Sequence, residues 1–217
     1  MQTNTKRLTT LAMLAALSII TMLFIRVPMF LPFLFYDPKD VIIIIGGFMY
    51  GPIAAFTIIV VVSFVEMITV SDSGAIGLLM NILSSAAIVM PAVLIYSRWR
   101  NLPGAIVGLI IGGITTTAVM LLWNYLIIPL YMAGVTRDAV MPMLVPIFLP
   151  FNLIKSGLNA ALVMLLYKPI TIALGQAGLY KPVSPSASSK LNKLVLIVSA
   201  FVILTLILII LAERGVF

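Results

Sequence analysis

Apolar residues fill seven stretches of this chain, near 8–25, 40–51, 53–70, 75–96, 103–129, 146–168 and 191–212, with short polar or Pro/Gly-rich connections between them. Most of the stretches approach the roughly 20 residues that a helix needs to cross a ~30 Å hydrocarbon core. They do not alternate as barrel strands do, and a helix satisfies its own backbone in lipid. The pattern predicts an all-α integral membrane protein. Six helices form a core over 1–174, a polar Ser/Pro linker covers 175–190, and an additional helix with a short tail covers 191–217. That last run carries no polar stripe and reads as an appendage. The basic start before 8–25 also fits a signal peptide, but Arg26 closes the run and no small-residue cleavage site follows.

The polar positions inside the apolar runs carry the functional information. The stretch 150–168, PFNLIKSGLNAALVMLLYK, holds Lys155 well inside it. A lysine near the bilayer centre costs about 2.5–3.5 kcal/mol on insertion scales, so it normally faces a cavity or a partner. Asn152, Lys155, Ser156 and Asn159 follow i, i+3, i+4, i+7 spacing and share one helix face. Glu66 lies near the end of 53–70 and is a site residue, a partner for Arg26 or Lys155, or a side chain that snorkels to the surface. Asn81 and Asn124 interrupt two further runs. Residues 27–39 form a loop rich in Pro and aromatics, with Asp37 as helix cap and Pro38 at the first helical position. Pro91 is expected to kink its helix, and Thr115, Thr116 and Thr117 to bond their own backbone. Ala12 and Ala16 set a small-xxx-small pair on the first helix, which fits either internal packing or docking to another membrane subunit.

Composition narrows the chemistry. Only 9% of residues are charged, against roughly 25% in soluble domains. With no Cys and no His, thiol chemistry is excluded and the commonest general base and metal ligand are missing. No phosphate-binding loop of the G-x-x-x-x-G-K-[ST] type is present, so ATP hydrolysis by that route is excluded. The net charge of +7 has its meaning in placement rather than in nucleic-acid binding. With the N-terminus inside, the cytoplasmic side holds Lys6, Arg7, Arg98, Arg100, Lys168, Lys181, Lys190 and Lys193. The outer side then holds Arg26, Lys39, Arg137 and Arg214, an inner excess that supports this orientation. Glu66, Asn81, Asn124, Asn152 and Lys155 all fall in the outer half. Amide side chains and aromatics at one depth suit a planar ligand with polar edges.

At LAMLAAL (11–17), DPKDV (37–41), YGPIAAF (50–56), NYLIIPLY (124–131) and PFNLIKSG (150–157), the chain resembles the riboflavin-specific S components of energy-coupling factor (ECF) transporters. The resemblance covers about 6–170. It implies a six-helix core, an outward-facing vitamin site in the cell membrane, no ATPase of its own, and toppling of the subunit during transport. It implies partners as well: a coupling transmembrane subunit and two ATP-binding subunits. By motif, Asn124, Asn152 and Lys155 would contact riboflavin, with Asn81, Glu66, Asp40 and Tyr131 as further ligand contacts and the loop aromatics as a cover. Flavin mononucleotide is a second candidate ligand. No cofactor and no metal is implied. Ala12 and Ala16 match the pair that docks the coupling subunit. The alternatives are an S component for folate, thiamine or biotin, a self-sufficient secondary transporter, and a non-transporting assembly protein in which Lys155 and Asn152 brace helices.

Overall fold

The computed structural model of the chain describes residues 4–70, 74–132, 134–180 and 189–213. Residues 71–73, expected as a turn, and half of the Ser/Pro linker, 181–188, lie outside the described residues, as does the side chain of Tyr131. The chain runs α1 (Asn4–Phe24), β1 (Val27–Met29), β2 (Leu31–Tyr36), α2 (Lys39–Tyr50), α3 (Pro52–Thr69), α4 (Gly74–Arg98) and α5 (Leu102–Tyr131). It continues through α6 (Arg137–Val140), a 3-10 turn and a π turn, α7 (Leu149–Gln176) and α8 (Ser189–Glu213). Among the described residues, five helical segments are long and apolar enough to cross a membrane.

The helix α2 is the centre of the bundle. Its twelve residues give about 18 Å at roughly 1.5 Å per residue, short of a full crossing. Every residue from Lys39 to Phe48 is buried, and α1, α3, α4 and α7 all pack on it. A helix that is apolar all round belongs inside, which explains the Ile42–Ile45 run. Gly51, at φ +91, turns the chain into α3, where Pro52 starts the next helix.

The helices α4 and α5 approach each other closely. A Cβ at Gly108 would lie 2.7 Å from the Ala92 carbonyl oxygen, and one at Gly112 would lie closer still to that of Ile88. Small residues here let two backbones touch, the usual device for helix association in lipid. The helix α4 continues through Pro91. Thr115 and Thr117 bond the carbonyls of Ile111 and Gly113 as expected, whereas Thr116 Oγ1 is buried without a partner.

Of residues 27–39, expected as a loop, 27–36 instead form an antiparallel hairpin with register Val27↔Tyr36 and Pro28↔Phe35. A two-stranded hairpin has two free edges, so proline is tolerated in it. Phe30 turns the hairpin at φ +60, a strained value for a bulky residue. The hairpin rests on α7 through a cluster of Met29, Tyr36, Phe151, Ile154 and Leu158. At the opposite end of the bundle, Phe48 stacks on Tyr96 at 4.2 Å. There Tyr96 and Tyr167 share a hydroxyl contact of 3.3 Å, and the Tyr50 hydroxyl donates to the Leu179 carbonyl. The molecule is therefore polar beneath the hairpin and aromatic at the other end.

Candidate functional site

The site lies where the hairpin, the start of α2 and the first half of α7 meet. Tyr36 closes it: its buried hydroxyl donates to Asn159 Oδ1 at 3.2 Å. Burial holds the Tyr36 phenol well above its ordinary range, and the Asp37 and Asp40 carboxylates add to that. The phenol thus stays a neutral donor. Burial alone would raise the neighbouring Asp37 carboxyl. The Lys39 charge, then those of Lys155 and Arg26, together with the Lys39 N–H, overcome it and hold the carboxyl below its usual range. Asp37 was expected to cap a helix starting at Pro38. The helix begins at Lys39, and Asp37 Oδ1 accepts from the Lys39 N–H at 3.4 Å.

Glu66 is buried and pairs with Lys39. Neither of the partners expected for it, Arg26 and Lys155, forms an ion pair with it among the described residues. Arg26 instead donates to the Val70 carbonyl at 3.1 Å and lies over the Phe35 ring. Pairing of Glu66 with the lysine at the start of α2 follows from the position of α2, which places both groups at one depth. Asp40 is fully buried on the next position of α2, and its Oδ1 accepts from Ser85 Oγ at 2.6 Å. Three of the chain's six carboxylates therefore converge here with Arg26, Lys39 and Lys155, so the cluster is charge-balanced.

The polar face of α7 lies beneath the hairpin as its spacing requires. Asn152, Ser156 and Asn159 are buried and Lys155 is half-buried. Asn152 Nδ2 donates to the Phe148 carbonyl at 2.7 Å, which leaves the amide oxygen and the second N–H for a ligand. Asn159 Nδ2, Ser156 Oγ and Asp40 Oδ2 are buried without hydrogen-bond partners. An unmade bond at a buried polar atom costs about 1–3 kcal/mol, so these atoms of α7 and α2 are open to a polar molecule that would supply partners.

The remaining expected residues stand at the margins of this set. Asn81 is half-buried on α4, one turn before Ser85 and on the same face. Asn124 is buried on the α5 face that carries Gly113 and Thr117, and Gly113 abuts Ser156 of α7. Among the described residues, no hydrogen bond links either asparagine to the cluster. Lys39 and Ser85 are members that sequence reasoning did not place in the site, and Asp37 was read only as a helix cap. Asn159 was placed on the polar face by its spacing from Asn152, though not named as a ligand contact. Ala12 and Ala16 are exposed on the outside of α1, with Ala15 buried between them. This removes internal packing as the reason for the pair.

Residues 6–167 match the family model described as ECF transporter, substrate-specific component. The riboflavin transporter RibU of Staphylococcus aureus (strain TCH60) is 31% identical over 175 residues, covering 77% of this chain and 91% of the relative. The riboflavin transporter FmnP of Bacillus subtilis (strain 168) is 26% identical over 159 residues, covering 69% and 84%. A solved S component of a bacterial ECF transporter aligns with a TM-score of 0.66 at 30% identity, over 79% of this chain and 99% of that one.

Proposed function

We propose a function from this premise: the chain belongs to the ECF transporter substrate-specific component family. It binds riboflavin beneath the hairpin and delivers it into the cell, energised by separate ATP-binding subunits through a coupling membrane subunit. The single observation that carries the reading is the polar face of α7, roofed by the hairpin and closed by the Tyr36–Asn159 hydrogen bond. Similarity to two riboflavin transporters supplies the ligand class.

The chemistry fits the flavin. An isoalloxazine ring has a planar apolar body with an imide edge. The Asn152 amide offers that edge both a donor and an acceptor, and the Lys155 ammonium donates to a ring carbonyl. The ribityl hydroxyls supply donors to Asp40 Oδ2 and acceptors for Asn159 Nδ2, which lies about two helical turns beyond Asn152. Met29 and the hairpin aromatics cover the ring. The site opens outward, on the side opposite the Arg98–Arg100 turn. Ala12 and Ala16 form the docking face for the coupling subunit.

Reconstitution in vesicles with ECF coupling and ATP-binding subunits tests the reading. ATP-dependent riboflavin accumulation is the expected result. Accumulation driven by an ion gradient without those subunits would overturn it in favour of a secondary transporter.

A further inference from the structure

The helix α8 lies beyond the stretch that matches the family model, which stops at residue 167. It packs along α7. Its contact face is small and then branched: Ser199 is buried, and Ile203, four residues on, is partly buried against the cluster that joins the hairpin to α7. Small residues at such a face let helices approach closely. The opposite side, with Ile197 and Phe201 at 67% and 68% exposure, is left to lipid. The cluster that Ile203 joins includes Tyr36, and Tyr36 is one hydrogen bond from Asn159 on the polar face.

We propose that α8 is a built-in brace for the hairpin, and that Ile203 is a positioning residue that keeps the roof of the site closed. The inference rests on the riboflavin reading for its ligand. A lone two-stranded hairpin is marginal in stability, and this one carries the strained Phe30 turn. Its closed position depends on the apolar surface it rests on. Ile203 adds to that surface from a helix that packs along α7, so the roof and the polar face are held by the same two elements. Such a contact acts on release more than on capture, because affinity changes within one site fall mostly on the dissociation rate.

The test uses the full chain in detergent. Riboflavin release is followed by fluorescence recovery, and amide hydrogen exchange is followed across 27–36 in the ligand-free protein. Ile203→Ala is expected to release riboflavin roughly three- to tenfold faster than the parent chain and to exchange faster across 27–36, with exchange in α3 and α4 unchanged. Ile203→Leu is expected to restore both, and Ile197→Ala on the lipid side to change neither. Parental release and parental exchange in Ile203→Ala would overturn the brace, as would faster exchange spread over the whole bundle. If the parent chain binds no riboflavin, the ligand reading falls, and exchange across 27–36 still decides the brace.

Discussion

Lys39 is the residue at which burial and charge are hardest to reconcile. It is 2% exposed inside a membrane bundle and is held by Glu66, with Asp37 and Asp40 close by. Removing one member of a buried pair strands the other, at a cost of about 3–5 kcal/mol, whereas replacing both by apolar groups is often neutral. Lys39→Met is therefore expected to lower detergent unfolding stability by that amount, and Lys39→Met with Glu66→Met to recover most of it. Equal losses in the single and double variants would mean that the pair does not carry the start of α2. The pairing was not legible in the sequence, because nothing local links two residues 27 positions apart, and the partners expected for Glu66 were Arg26 and Lys155. Lys155, Asn152 and Asn159 were legible because helical spacing alone puts them on one face.

At the scale of elements, the long helices could be read from uninterrupted apolar runs, and α5 and α7 begin close to where their prolines allow. The hairpin could not. Its Pro and aromatic residues lack the alternation of a strand, and its strand pairing is held by the α7 surface beneath it rather than by local preference. The brevity of α2 was readable, but its place at the centre of the bundle was not, since that depends on the four helices around it. The glycines of α5 were visible as a pattern, and only the packing gives them their task. Gly112→Ala is expected to push a Cβ into the Ile88 carbonyl and to cost about 1–3 kcal/mol through overpacking, read as a lower unfolding midpoint. A parental midpoint would contradict the backbone contact between α4 and α5.

The whole molecule has two faces with different work. The hairpin end gathers the charge-balanced polar cluster, and the outer side of α1 leaves Ala12 and Ala16 exposed, the face proposed above for the coupling subunit. These are separable in experiment. Ala12→Leu with Ala16→Leu is expected to leave riboflavin binding intact and to abolish ATP-dependent uptake in the reconstituted complex. Loss of binding in that variant would place α1 in the site rather than at the docking face. Residues 189–213 stand outside the family match, and α8 packs along α7.

The central claim is that the α7 face beneath the hairpin holds riboflavin, and an equilibrium titration tests it most directly. Riboflavin is added to the ligand-stripped, folded chain while flavin fluorescence is followed. The account expects quenching that saturates near one flavin per chain. Lys155→Ala should weaken binding about ten- to a hundredfold, the loss expected for one hydrogen bond from a charged donor at about 1.5–3 kcal/mol. No quenching by the folded chain, or undiminished affinity in both Lys155→Ala and Asn152→Ala, would contradict it.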